Sequence, residues 1–139
     1  MLEKNKLITF PAGLPGLPAE LNRFALIPLA ENSPFFFFQS LQNENVGFIL
    51  INPFSFFSDY EFDLSDEEAE ALAIATPEQA AVFCIVNASQ GIKNATVNLL
   101  APVVVNVATG AARQVVLVDS RYGLRHPLPQ PKAAAGEGK

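Results

Sequence analysis

The chain of 139 residues is 50% hydrophobic and 17% charged, enough apolar material for one domain to bury its own core and too much for a disordered chain. Its net charge of −5 hides a segregation: residues 24–92 carry ten acids (Glu31, Glu44, Asp59, Glu61, Asp63, Asp66, Glu67, Glu68, Glu70 and Glu78) and no Lys or Arg, while the rest holds nine bases and four acids. Such an acidic half argues against direct nucleic-acid binding and for a basic protein partner, with a merely solvated surface as the alternative.

Residues 7–10 read as a first short strand, stopped by PAGLPGLP at 11–18, whose prolines and glycines force turns. Strands follow at 24–29, 35–41 and 46–52, and Pro53 closes the last because proline lacks the N–H that a ladder needs. Ser65-Asp66-Glu67-Glu68 is a capping-box pattern, in which the Ser65 hydroxyl accepts a backbone N–H near Glu68 and the Glu68 carboxylate reaches back. It predicts one helix over 65–75, ended by Thr76-Pro77, with Leu64, Ala71, Leu72 and Ala75 as a narrow apolar stripe. Apolar or β-branched runs at 81–87, 95–100, 103–107 and 114–119 return the chain to strand, with room for an edge strand at 122–128. Residues 1–128 are therefore expected to form one all-β, mainly antiparallel domain, a small barrel-like or curled sandwich of about eight strands with one short helix near 65–75. Residues 129–139 are expected to be a disordered tail.

The N-terminal MLEKNKLITF lacks the apolar core of a secretory signal, and the longest apolar stretch, 99–108, is interrupted by Pro102 and Asn106 and too short to cross a bilayer. The cytoplasm is the expected compartment, with no membrane contact. Cys84 is the one cysteine, so it has no disulfide partner, and in VFCIV it reads as a small buried hydrophobe. His126, the single histidine, sits in Arg-His-Pro, and no GxSxG, HExxH or phosphate-cradling glycine loop occurs. No enzyme activity, no cofactor and no small-molecule ligand are expected. A ligand-binding barrel or an enzyme with a hidden site is the competing reading.

Two features carry binding potential. In the run Phe35, Phe36, Phe37, Phe38, alternate rings point to opposite faces of a strand, so a one-sided sheet buries only one pair. Either a second layer covers the outer pair or a partner does; the same holds for Phe54, Phe56, Phe57 and Phe62. Seven of the fourteen acids lie in residues 59–70, and with the helix extended back one turn Asp63, Asp66, Glu67 and Glu70 share one face. That face is either solvated or a docking face for cations, with Tyr60 and neighbouring phenylalanines as its apolar centre.

Five phrases in order, FPAGLPG (10–16), SPFFFFQSLQ (33–42), VGFILINPFSFFSDYEFDL (46–64), NATVNLLAPVVVN (94–106) and RQVVLVDSRYGLRHPL (113–128), closely resemble the FliW flagellar assembly factors of bacteria. Leu17 departs from the phenylalanine that the family pattern favours after the Pro-Gly turn, and Pro18 follows it. The resemblance implies a compact barrel-like fold and two alternative protein partners, flagellin and the RNA-binding translational regulator CsrA. In that family the free factor holds CsrA off the flagellin messenger until new flagellin displaces it. Combined with the charge pattern, the resemblance assigns Asp59, Tyr60, Glu61, Asp63, Asp66, Glu67 and Glu70 to CsrA. Phe36, Phe38, Phe54, Phe56 and Phe57 are assigned to flagellin, whose amphipathic terminal segments want an apolar surface. Asn98 and Asn106, flanking LLAP, are expected to satisfy local backbone groups.

Overall fold

The computed structural model describes residues 6–18, 20–31, 33–88, 91, 94–118 and 121–128; the tail proposed at 129–139 lies outside them. Four strands come first, β1 (Lys6–Thr9), β2 (Arg23–Pro28), β3 (Phe35–Ser40) and β4 (Gly47–Ile51). They form an antiparallel meander whose register places Ile8 opposite Phe24, Leu26 opposite Phe38 and Phe36 opposite Leu50. Side chains alternate along each strand, so this register gathers Ile8, Phe24, Leu26, Phe36, Phe38 and Leu50 on one face. That face is the interior of the curled sheet.

A six-residue helix, α1 (Asp66–Ala71), precedes the long strand β5 (Ala80–Asn87), and β6 (Thr96–Val97), β7 (Val103–Asn106), β8 (Ala112–Gln114) and β9 (His126–Pro127) follow. Outside these elements, Pro53–Ser55 and Pro77–Gln79 are single 3-10 turns. β5 pairs with β4 along one side. Its other side is shared: Val86 and Asn87 pair with β6, while Ala80 to Phe83 pair with β7. Residues 98–102 leave the sheet between those two ladders, which is why the strand expected over 95–100 stops at Val97. The Asn98 carboxamide oxygen accepts the N–H groups of Leu100 and Ala101 at 3.1 and 3.0 Å, so this excursion carries its own internal tie.

The sheet curls until β1 meets the β7–β8 hairpin through one isolated parallel bridge, Thr9 to Ala111, with the Thr9 N–H donating to the Gly110 carbonyl at 2.9 Å. No ladder continues from it, so the sheet stays open. Gly110 has φ +80, and a Cβ there would stand 2.5 Å from the Leu7 carbonyl oxygen. Gly110→Ala is therefore expected to lose more than the about 1–2 kcal/mol of a left-handed backbone alone, read as a lower urea midpoint. Gly16 is the control: it has φ +91 with nothing within 4 Å of its absent Cβ, so Gly16→Ala should show only the backbone part. Equal losses would mean that the contact with Leu7 does not matter.

The interior is filled by Phe10, Phe24, Phe38, Leu14, Leu50 and Val103, where a ligand-binding barrel keeps a chamber. Phe10 meets Phe24 and Phe38 edge-on with centroids 5.7 Å apart, and Phe24 stacks on Phe38 at 4.8 Å. Outside the sheet, residues 53–64 and 122–128 cover β4, β5 and β6 through Ile51, Tyr60, Cys84, Val97 and Leu99. Leu72, Val104 and Val115 form a third cluster under α1. The assignment of Phe36 and Phe38 as outward rings is thus reversed. They face the interior, where Phe38 is 1% exposed and Phe36 packs edge-on against Phe83 at 5.2 Å. Of the other pair, Phe35 lies under Phe56 at 5.5 Å, and Phe37 rests on the bare backbone of Gly47.

The helix is shorter than the sequence suggests. Ser65 caps it as expected, its hydroxyl accepting the Glu68 N–H at 3.1 Å, but the Glu68 carboxylate turns away to an ion pair with Arg113 at 3.1 Å. The angle of that contact misses a hydrogen bond. Ala73 adopts φ +58, ending the helix four residues before Thr76-Pro77 could. Asn106 holds this end. Its side-chain N–H donates to the Leu72 carbonyl at 2.7 Å, and its oxygen accepts from Ala108 and Thr109. Asn98 therefore serves local backbone as expected, whereas Asn106 also ties down a distant helix end.

Candidate protein-docking face

Asp59 closes a turn, the Tyr60 N–H donating to the Phe57 carbonyl at 2.9 Å, and residues 60–64, Tyr-Glu-Phe-Asp-Leu, are irregular, not helical. Alternation across 59–64 puts Asp59, Glu61 and Asp63 outward, with Tyr60 buried and Phe62 and Leu64 half-buried beneath. The helical turn expected to carry Asp63 beside Asp66, Glu67 and Glu70 does not form. The acids nonetheless stay together, because Asp66, Glu67 and Glu70 follow at once and are also exposed. Charges in the first turn of α1 sit at the positive end of its backbone dipole, which offsets part of their mutual repulsion.

The apolar side of this segment opens a cleft of about 540 Å³. Phe54, Phe62, Leu64, Ile74 and Val82 line it, and Glu61, Asp63 and Asp66 stand at its rim. A second cleft of about 420 Å³ lies across residues 61–63, against Leu117, Val118 and Arg121. An apolar floor rimmed by carboxylates suits an apolar side chain flanked by cations.

Tyr60 does not reach solvent, being 4% exposed, so it is removed from the contact set and acts as an anchor. Its hydroxyl donates to the Leu99 carbonyl at 2.7 Å and accepts from the Cys84 thiol at 3.9 Å. Tyr122 adds a second tie, its hydroxyl accepting the Glu61 N–H and donating to the Glu61 carbonyl, each at 3.0 Å. Burial, with Cys84 beside it, holds the Tyr60 phenol well above its ordinary value. Burial also pushes the Cys84 thiol up to about 12, against the lowering effect of its bond to Tyr60. Both groups are neutral in the fold and ionise more easily when unfolded. The stability they contribute is whole below the ordinary thiol value of 9.0 and is lost as pH climbs towards about 12. Tyr60→Phe should cost about 1–3 kcal/mol at neutral pH by leaving the Leu99 carbonyl short of a donor, and should shrink the alkaline loss. An unchanged urea midpoint at both pH values would rule out the anchoring role.

Among the five phenylalanines assigned to flagellin, Phe54 alone is exposed, at 46%. Phe56 and Phe57 are half-buried, Phe57 edge-on to His126 at 6.3 Å. Sequence reasoning missed Leu124, Val116 and Val118, which are 59%, 66% and 102% exposed. Residues 115–118 are all apolar, so alternate side chains of a one-sided strand there must face outward, which was the available signal for the last two.

The sequence profile of the FliW protein family matches residues 1–128. The chain belongs to the FliW family. It is 41% identical over 127 residues to the flagellar assembly factor FliW of Bacillus subtilis (strain 168), covering 91% of this chain and 88% of that protein. With the FliW of Desulfitobacterium hafniense (strain Y51) it shares 44% over 123 residues, covering 88% and 80%. A crystal structure of the flagellar assembly factor FliW superposes with a TM-score of 0.81 at 34% identity, covering 94% of this chain and 89% of that one. The open, mostly antiparallel sheet described above is thus a FliW fold, and the acidic segment and its clefts lie within the span that the family profile matches. No helix among the described residues is long and apolar enough to cross a membrane.

Proposed function

We propose that this FliW-family chain works in the cytoplasm as a stoichiometric regulator, not an enzyme, binding CsrA and flagellin in turn. While it holds CsrA, the flagellin messenger is translated. Newly made flagellin displaces CsrA, which then represses its messenger, so that synthesis follows secretion. Membership of the flagellar assembly factor family carries this reading. The acidic rim supports it independently, because a protein that binds RNA carries basic surface and an acidic antagonist suits it.

The contact set follows from what is exposed. Asp59, Glu61, Asp63, Asp66, Glu67 and Glu70 are the CsrA residues, held in place by Tyr60. Phe54, bordered by Phe56 and Phe57, is the flagellin surface. Both contacts are assigned to residues 1–128, the span that the family profile covers. Gel filtration of the chain with CsrA, followed by addition of flagellin, tests the exchange. Release of CsrA together with recovered binding of the flagellin messenger is expected. A stable ternary complex that leaves CsrA inactive would defeat the reading.

A further inference from the structure

Residues 115–118 run on from β8 as extended chain. The N–H groups of Val115 and Leu117 donate to the Pro102 and Leu100 carbonyls at 2.9 and 2.8 Å. The backbone groups of Val116 and Val118 therefore point the other way, and they make no hydrogen bond among the described residues. Both side chains are also exposed, at 66% and 102%. A strand edge with free donors and acceptors under bare valines is a template for another strand. The 420 Å³ cleft beside it brings Phe62, Leu117 and Val118 together with the carboxylates of Glu61 and Asp63 and one guanidinium, that of Arg121. The Glu61 side chain is 76% exposed and has Arg121 no nearer than 3.9 Å.

We propose that the edge at residues 116–118 and this cleft take up an extended, lysine- or arginine-bearing segment of a protein partner, which joins the sheet as one further strand. Charge selects the occupant: with two carboxylates to one guanidinium the cleft keeps an excess negative charge, which a second copy would double and a cationic strand neutralises. This deepens the regulatory reading and rests on it in one respect, that the partner is basic. It adds a surface distinct from the exposed acids of α1.

The full chain is titrated with a short peptide of alternating lysine and valine, and with its glutamate–valine counterpart. The cationic peptide should slow amide exchange at Val116 and Val118, and the anionic one should not. Val116→Pro removes an N–H that no described residue accepts, so it should keep the thermal midpoint while weakening the peptide by roughly tenfold. Val118→Pro does the same should the first variant unfold. Equal binding to parent and proline variants, no protection at the two valines, or self-association through this edge in place of peptide uptake would each overturn the proposal. Because neither CsrA nor flagellin enters the assay, its failure leaves the regulatory reading standing, and a failed exchange experiment leaves the edge to be judged on the peptide.

Discussion

Truncating Phe38 to alanine is expected to cost about 3–5 kcal/mol. The ring is 1% exposed, stacks on Phe24 at 4.8 Å and meets the edge of Phe10 at 5.7 Å. Such ring pairs add about 0.5–1.5 kcal/mol beyond the area they bury. The hole left behind cannot easily collapse, because β3 is laddered to β2 on one side and to β4 on the other. Phe37, its neighbour, supplies the contrast. It is half-buried on the outer face and leans on Gly47, so Phe37→Ala should cost about 1 kcal/mol. Urea denaturation followed by circular dichroism measures both, and equal losses would contradict the assignment of Phe38 to the interior.

Reversing Asp63, Asp66, Glu67 and Glu70 to lysine should slow association with CsrA by roughly tenfold or more at low salt and flatten its salt dependence. All four are exposed, so they act through the field that an approaching basic surface meets, and they contribute little as single bonds. Lysines in the first turn of α1 oppose the helix dipole at about 0.3–1 kcal/mol each. The Asn/Gln versions are therefore run alongside, to show that a slower rate is not an unravelled helix. Reversing Glu31, Glu44 and Glu78, acids outside the run, separates position from total charge. Stopped-flow association across a salt series reads the result; rates that match the parent would leave the acidic run as solvated surface.

Much of the sheet was legible because its signals are local. Period-two burial, proline stops and the Ser65 cap need no knowledge of the rest of the chain, and the strands from Lys6 to Ile51 fall within a residue or two of expectation. The face on which each ring lies was not legible. Phe36 and Phe38 turn inward because Leu26 and Leu50 stand opposite them in the neighbouring strands, and register is a property of pairs of strands. The acidic run misled for a different reason. Asp59 to Leu64 alternates acid and apolar residue, a strand-like period, but a helix cap follows at once and the helical period was carried back across it. Tyr60 lost its place as a contact for the same reason, since that alternation turns it toward Leu99 and Cys84. The excursion at 98–102 was hidden because, apart from the local tie at Asn98, its partners lie far along the chain, at Tyr60, Gln114 and Gly123.

The bridge from Thr9 to Ala111 sets the order in which the molecule can be finished. It fastens the first strand to the far end of the chain, so a nascent protein emerging from the ribosome can zip its meander early, yet its seam must wait until β7 and β8 have been made. During synthesis the N-terminal strand therefore has one neighbour and a bare flank, and only the completed polypeptide can shield it.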